Sequence, residues 1–378
     1  MRVLYLIPNI TRGGIQTQVL SLGNYLMRER GFTVSIVGFH TKDESYLSLL
    51  KKIGFDVRFS PEIGERLTRY DSYSVVEKCV FWFDYIRFLK SFKPSVIAPY
   101  TQRIDDLTNA VWRFTGAKLS FSFERGGYLH PKREKLNWLR RLKKLSQPTY
   151  VANSNHGALA LAKIRNIPIR KIHVIPNAYV IPDLSVSDHL PVEVDLSDKV
   201  VFIMLANFFD QKDHTFLLKA WQMSNMTESL LLLVGGGGTD KCRQNYHEAQ
   251  EFVKNNGLDD QVFFLGATGA TQHLLSIASI GLLTSRTEGC PNAVLEYMGA
   301  GLPVLARDIP GIREVLPEEN KVILTGFDDI RGLARQMCFL EKNKALRIRL
   351  GEVNRQHVMA EFRPEEMFNA YNKLISAR

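Results

Sequence analysis

Two carboxylates lie eight positions apart in the stretch 285–311, which reads SRTEGCPNAVLEYMGAGLPVLARDIPG. Glu288 falls on a loop after an apolar strand, and Glu296 falls in the helix that follows. Ionised carboxylates only accept hydrogen bonds, so this pair could bind the hydroxyls of a sugar or a ribose. Ordinary helix capping explains the same residues, because the helix dipole favours a carboxylate near its amino end.

The residues between these carboxylates predict the amino end of a helix. A turn at Gly289–Pro291 comes first, Asn292 is a good N-cap, and the helix runs over Ala293–Gly299 with Glu296 in its first turn. The amides at such an end carry about half a positive charge, which suits a diphosphate.

Two further loops, each after the first strand of a predicted sheet, could bind phosphate. Lys212, in the loop 206–214 (ANFFDQKDH), could reach a phosphate as a mobile point charge. Gly13 and Gly14 would let backbone amides approach an anion at a helix start. A solvated lysine and a simple left-handed turn are the plainer interpretations, and the glycines do not form the GxGxxG fingerprint of a dinucleotide site.

Parallel sheets must position these loops. The first half begins with a strand at Val3–Ile7 and a helix whose apolar residues 15, 19, 22 and 26 share one face. A strand at Val34–Phe39 completes a β-loop-α-β unit, the start of a doubly wound sheet. Further strands are predicted at 56–59, 95–100, 119–123, 150–153 and 173–175.

The pattern restarts after a proline-containing linker at 178–198. Strands are predicted at 200–205, 229–234, 262–265, 280–284, 303–306 and 322–324, and helices at 241–256, 271–278, 293–299 and 330–341. The tail 362–377 has helical spacing with Pro364 in its first turn.

This pattern predicts an α/β protein with two Rossmann-like doubly wound domains, residues 1–178 and 179–361, and a helix at 362–378 that crosses back to the first domain. Ligands of such sheets bind beyond the carboxyl ends of the strands, so both domains are expected to contribute loops to one cleft.

Composition narrows the class of protein. Of 378 residues, 45% are apolar and 23% charged, as in ordinary globular proteins. The four cysteines lie far apart without a CxxC pair, which excludes a disulfide scaffold and fits a reducing cytoplasm.

The net charge of +10 divides unevenly: residues 1–180 hold 29 Lys and Arg against 13 Asp and Glu, whereas residues 181–378 have a net charge of −6. A basic half suggests an anionic partner, and solubility alone is the alternative.

The densest basic segment, 132–145, reads KREKLNWLRRLKKL, and seven of its fourteen residues are Lys or Arg. Leucine recurs at every third position from 136 to 145. A basic amphipathic helix with Trp and Leu predicts binding to an anionic membrane surface, whereas a surface helix with its leucines in the core is the alternative. The predicted membrane contacts are Lys132, Arg133, Lys135, Trp138, Arg140, Arg141, Lys143 and Lys144.

Taken together, these motifs resemble those of family 4 retaining glycosyltransferases with the two-domain GT-B fold. The segment EGCPNAVLEYMGAGLPVLA at 288–306, followed by Gly311 and Glu314, carries most of the resemblance. The double-glycine loop, the Lys212 loop, VGGGG at 234–238, FLG at 264–266 and the tail helix occur in the order of that family. The resemblance covers essentially the whole chain, strongly over 200–315 and loosely over 40–150.

The resemblance implies that Lys212 contacts the donor diphosphate, that Glu296 binds the ribose hydroxyls and that Glu288 lies near the transferred sugar. Lys212 and Glu288 are the residues expected to act in the reaction. Asn207 stands where the family usually has an arginine, which leaves more of the phosphate charge to Lys212 and to helix amides. The other donor-side residues are Gly13, Gly14, Leu265, Gly266, Gly289, Cys290, Pro291, Asn292, Ala293 and Val294.

Many members of that family carry a histidine after the fourth or fifth strand of the first domain. Here the strand ends Phe123-Glu124-Arg125, so Glu124 or Arg125 is expected to take that position, on the acceptor or sugar side.

The implied reaction moves a hexosyl group, with retention, from a nucleotide diphosphate sugar to a hydroxyl, with a UDP-sugar favoured. The resemblance implies neither a cofactor nor a metal, and no Asp-x-Asp motif occurs in the sequence. The expected acceptor is a lipid-linked glycan in O-antigen-like or capsule-like polysaccharide synthesis, for a cytoplasmic protein bound peripherally to the inner face of the plasma membrane.

Two alternatives within this class are a GDP-mannose-dependent mannosyltransferase and a non-catalytic homologue that binds a nucleotide sugar or another anionic ligand. A nucleic-acid-binding protein would explain the basic half, but the sequence lacks zinc-finger, helix-turn-helix and RNP-like signals. We therefore expect no nucleic-acid partner.

Overall fold

The computed structural model describes residues 1–11, 13–126, 146–180, 199–236 and 239–377. They form two compact units. The first contains Met1–Pro176 and Glu365–Arg378, and the second contains Asn177–Pro364. The predicted membrane segment at 132–144 and most of the predicted linker lie outside the described residues.

The first unit is built on one parallel sheet of seven strands in the order β3-β2-β1-β4-β5-β6-β7. This order contains the 3-2-1-4-5-6 arrangement of doubly wound nucleotide-binding sheets. The strands are β1 (Arg2–Ile10), β2 (Thr33–Lys42), β3 (Asp56–Phe59), β4 (Val96–Pro99), β5 (Leu119–Glu124), β6 (Thr149–Ala152) and β7 (Ile172–Val174). The helices described in this unit are α1 (Gly14–Arg28), α2 (Glu44–Ile53), α3 (Pro61–Arg69), α4 (Val75–Ser91), α5 (Gln102–Val111) and α6 (Asn155–Arg165). The last helix of the chain, Pro364–Ser376, also belongs to this unit from Glu365 onward.

The central strand of this sheet shows why the sequence folds this way. Residues 3–7 of β1 are all almost inaccessible to solvent. A parallel sheet covered by helices on both faces needs such continuous apolar runs, because neither face meets water. Helix α1 buries Val19, Leu22 and Leu26, three of the four residues expected on its inner face.

The second unit has a parallel sheet of five strands in the order β10-β9-β8-β11-β12. Its strands are β8 (Val200–Leu205), β9 (Ser229–Val234), β10 (Val262–Gly266), β11 (Ile280–Leu283) and β12 (Val304–Ala306). Its helices are α7 (His214–Ser224), α8 (Asp240–Asn255), α9 (Thr271–Ile277), α10 (Asn292–Gly299), α11 (Pro310–Arg313), α12 (Glu318–Lys321), α13 (Ile330–Lys342) and α14 (Lys344–Glu361), and α15 (Pro364–Ser376) follows. The prediction of two doubly wound α/β domains is confirmed.

The predicted strand at 322–324 is wrong. Helix α12 ends at Lys321, and beyond it Thr325 forms a single bridge with Arg307. The side chain of Asn320 explains the difference. It accepts a hydrogen bond from the Val304 amide at 3.0 Å and donates one to the Val304 carbonyl at 2.7 Å. One buried amide side chain thus satisfies backbone groups that a further strand would have paired.

Candidate active site

Helix α10 begins one residue earlier than predicted. Its N-cap is Pro291, which has no side-chain acceptor, and Asn292 is the first helical residue. The side-chain oxygen of Asn292 instead accepts a hydrogen bond from Asn177 at 2.8 Å, and the same Asn177 group also donates to the Cys290 carbonyl at 2.7 Å. The N-cap prediction for Asn292 is therefore wrong, because Asn177 engages its oxygen. Glu296 is the fifth helical residue, in the second turn rather than the first.

Lys212 and Glu288 form a hydrogen-bonded ion pair. Lys212 ends a single 3-10 turn after β8, and Glu288 lies on the loop after β11, the neighbour of β8 in the sheet. Their side chains are only 19% and 12% exposed, so water screens their attraction less than at an open surface. The structure thus brings together the two residues expected to act in the reaction.

The Glu288 loop is packed tightly against the start of α11. A Cβ atom on Gly311 would lie 2.1 Å from the Glu288 carbonyl oxygen and 2.5 Å from that of Gly289. Gly289, Cys290 and Pro291 are buried, whereas Ala293 is partly accessible and Val294 is buried in the core. Glycine at 311 is therefore required for the loop to hold Glu288 where it is.

Glu296 lies half-buried in α10, and burial raises the pKa of its carboxyl to about 7. Within the described residues, no hydrogen bond reaches this carboxyl. Its charge in turn raises the pKa of the nearby Tyr179 hydroxyl, after the larger effect of burial. A carboxyl without partners that ionises near neutral pH is suited to accept hydrogen bonds from an incoming ligand.

Hydrogen bonds link the carboxyl ends of β8, β9 and β10. The side-chain oxygen of Asn207 accepts a hydrogen bond from the Gly236 amide at 2.9 Å. The Gly235 amide donates to the Gly266 carbonyl at 2.9 Å. Gly266 adopts the left-handed conformation (φ +64°), and Leu265 before it is half-buried. Asn207, which stands where the family usually has an arginine, thus links the loops after β8 and β9 and supplies no positive charge.

Three residues that shape this site, Asn177, Asp213 and Arg307, were not predicted from the sequence. Asp213 had a readable signal, because an Asp directly before a helix is a typical N-cap, and its side chain does accept from the Phe216 amide at 3.2 Å. The other two act on residues more than 90 positions away, and no local pattern reveals such contacts.

In the first unit, Gly13 and Gly14 form the start of α1, with Gly13 as an extended N-cap. Glu124 accepts a hydrogen bond from the Gly126 amide at 2.9 Å. The guanidinium of Arg125 lies 4.7 Å from the ring centre of Tyr100 and 5.2 Å from that of Phe123. Arg125 is therefore held by aromatic faces, as expected for a weakly hydrated planar cation.

Within the described ranges, no helix is long and apolar enough to cross a membrane. Nor do these ranges contain a group of three or more His, Cys, Asp or Glu that could hold a metal ion.

Residues 189–357 match the family described as "Glycosyl transferases group 1". The chain is 29% identical over 179 residues to an N-acetyl-alpha-D-glucosaminyl L-malate synthase of Bacillus anthracis, covering 47% of this chain and 45% of the relative. It is 24% identical over 191 residues to a UDP-Gal:alpha-D-GlcNAc-diphosphoundecaprenol alpha-1,3-galactosyltransferase of Escherichia coli, covering 47% of each. The aligned part thus spans about half the length of these curated relatives. The solved structure of Anabaena Alr3699/HepE in complex with UDP and glucose covers 100% of both chains at 15% identity, with a TM-score of 0.79.

Two Rossmann-like parallel sheets and the likeness to the Anabaena structure show that the chain has the GT-B fold. The likeness to the glycosyl transferases group 1 family covers residues 189–357, which lie within the second unit.

Proposed function

We propose that this protein is a retaining hexosyltransferase whose donor is a UDP-sugar. The observation that carries the proposal is the Lys212–Glu288 ion pair at the carboxyl ends of two adjacent strands, close in sequence to the amino end of α10. Glu288 neutralises the charge of Lys212. A bound diphosphate would compete for Lys212 and leave the Glu288 carboxylate free to face the transferred sugar.

In the proposed reaction, the bond between the anomeric carbon and the donor diphosphate breaks, and negative charge develops on the departing phosphate oxygen. Lys212 and the amide groups at the amino end of α10 would stabilise that charge. The departing oxygen would take the proton of the acceptor hydroxyl, which attacks from the same face. Glu296 would accept hydrogen bonds from the ribose, and no side chain is assigned as a nucleophile.

Two likenesses support UDP as the nucleotide. The Anabaena structure was solved with UDP and glucose, and the name of the Escherichia coli relative specifies UDP-Gal. No observation on this chain favours GDP-mannose. The single positive charge of Lys212 together with helix amides is enough for one diphosphate, because helix amino ends bind such anions without further basic residues.

We further propose that the acceptor is a lipid-linked glycan of a surface polysaccharide, and that the protein works at the inner face of the membrane from the cytoplasmic side. The relative from Escherichia coli has a diphosphoundecaprenol-linked acceptor in its name. The net charge of +16 in residues 1–180 and the basic segment at 132–144 favour an anionic surface.

A nucleotide panel tests the donor assignment. We expect UDP and UDP-sugars, but not their GDP or ADP counterparts, to raise the melting temperature. A ligand at 100 times its dissociation constant stabilises by about 2.7 kcal/mol. Lys212→Met should abolish the shift, while Lys219→Met, a change in α7, should retain it. A wild-type protein that responds to no nucleotide would refute the proposed function.

Vesicle sedimentation tests the membrane assignment. We expect binding to vesicles that contain phosphatidylglycerol and little binding to neutral phosphatidylcholine vesicles. Changing Arg140, Arg141, Lys143 and Lys144 to Glu should abolish binding. Changing Lys51, Lys52, Lys342 and Lys344 to Glu reverses the same number of charges elsewhere and is the control. Equal binding by both variants would contradict the assignment.

A further inference from the structure

The residue after Lys212 has an unusual backbone. Asp213 adopts the left-handed conformation, with φ 53° and ψ 55°. Such a conformation is strained for a residue with a Cβ atom and persists only where surrounding contacts impose it. Because it adjoins Lys212, the contacts that impose this conformation also set the direction of the Lys212 side chain.

The end of β11 supplies one set of these contacts. The Thr284 hydroxyl lies 2.9 Å from the Lys212 carbonyl oxygen and 3.2 Å from that of Asp213. Thr284 is fully buried, so the turn is fixed to the sheet and not only to its own helix.

Arg307 supplies the other set. It follows β12, is completely buried, and donates to the Asp213 carboxylate at 2.8 Å and to the Thr284 carbonyl at 2.8 Å. Its guanidinium lies 3.7 Å from the ring centre of Phe216. One planar fork thus binds the two residues that shape the turn, and stacking on an aromatic ring holds the fork in place.

A buried ion pair of this kind is weak evidence for stability, because desolvation offsets most of the attraction. It does fix geometry, since Arg307 satisfies Asp213 only when the turn has its present shape. The other oxygen of Asp213 caps α7 through the Phe216 amide. Arg286 also donates to Asp213, at 2.9 Å, but its side chain is 55% exposed.

We propose that Arg307 is a positioning residue for the donor site, which acts through Asp213 to hold the turn that presents Lys212 to the donor diphosphate. This inference rests on the proposed function, because it assumes that Lys212 binds a diphosphate. Within the described residues, Arg307 makes no hydrogen bond or ion pair with Lys212 or with the Glu288 carboxylate, so its effect is indirect.

Calorimetric titration of the full-length protein with UDP-glucose or UDP-galactose, whichever binds the wild type, tests the proposal. We expect Arg307→Met to weaken donor binding at least tenfold, and to raise the KM for the donor without changing the KM for the acceptor. Arg286→Met, which removes the exposed partner of the same carboxylate, is the matched control and should change donor binding less than threefold. Donor binding by folded Arg307→Met that equals the wild type would overturn the proposal.

A rescue separates positioning from general destabilisation. Glycine adopts left-handed angles without strain and carries no carboxylate to leave unpaired. The double variant Arg307→Met/Asp213→Gly should therefore recover most of the donor affinity that Arg307→Met loses. Failure to recover, in a folded double variant, would contradict the role assigned to the turn.

Arg307→Lys covers the case in which Arg307→Met does not fold. Lysine keeps the charge beside Asp213 but lacks the fork that also reaches Thr284, so donor affinity should fall threefold or more while the melting temperature stays near the wild type. Unchanged donor affinity in Arg307→Lys would overturn the proposal. Lys212→Met is titrated in parallel. A wild type that binds no UDP-sugar refutes the proposed function. Donor binding that is lost in Lys212→Met but kept in the Arg307 variants refutes only the role of Arg307.

Discussion

Donor binding should depend on the ionisation of Glu296. Burial raises the pKa of this carboxyl to about 7, so at pH 6 about a tenth of the molecules carry the carboxylate and at pH 8 about nine tenths do. The carboxylate form can accept hydrogen bonds from both ribose hydroxyls, whereas the protonated form keeps one oxygen as a donor. We therefore expect UDP-sugar affinity to rise about tenfold from pH 6 to pH 8, or about 1.4 kcal/mol.

The same carboxyl should affect folding in the opposite direction. Its pKa is higher in the folded state than its ordinary 4.5, so the folded protein binds this proton more tightly than the unfolded chain does. Its contribution to stability is complete below about pH 4.5 and is lost as the pH rises to about 7. Full burial would make this loss about 3 kcal/mol, and because the residue is only half-buried we expect about 2 kcal/mol.

Titration calorimetry between pH 5.5 and 8.5 provides the assay. The ligand should be the intact UDP-sugar, because the terminal phosphate of UDP itself gains a proton in this range. Glu296→Gln should bind more weakly and with little pH dependence, while Glu288→Gln should keep the slope of the wild type. Wild-type affinity that is flat across this range would show that the ionisation of Glu296 is not coupled to donor binding.

Three further predictions concern stability and loop geometry. Burial lowers the pKa of His214 to about 3, so on acidification the unfolded chain takes up this proton at a higher pH than the folded protein does, and stability falls as the pH drops below about 6.5. Relative to the wild type, His214→Phe should therefore gain about 2 kcal/mol of stability between pH 8 and pH 5 in urea unfolding. Gly311→Ala should lower both the melting temperature and donor affinity, because the new methyl group collides with the Glu288 carbonyl, whereas Gly326→Ala, whose Cβ would have no neighbour nearer than 3.4 Å, should change neither. Tyr297→Phe should cost about 2 kcal/mol in chemical unfolding, since its buried hydroxyl accepts from one strand at 2.6 Å and donates to another at 3.0 Å, and a loss below about 0.5 kcal/mol would contradict this.

The sheets were predictable because strand periodicity is a local property. In the second unit the predicted bounds of β8 and β9 agree with the structure residue for residue, since each is a mainly apolar run that begins directly after a charged residue. The segment 322–324, which was predicted as a strand, is equally apolar but is preceded by Asn320. The Asn320 side chain bonds the Val304 amide and carbonyl, which a further strand would otherwise have paired. Apolar character alone therefore could not separate a strand from a partly buried loop.

The sequence determined which residues lie at the carboxyl ends of the strands, and so which side chains could meet a donor. Lys212 and Glu288 follow strands that become neighbours, and their contact follows from the order of a doubly wound sheet. Only the tertiary structure decided the surroundings of these groups. Burial of Glu296, the left-handed turn at Asp213 and its Arg307 partner depend on desolvation and on contacts across many residues. These quantities arise when distant segments pack together, and no local pattern of residues encodes them.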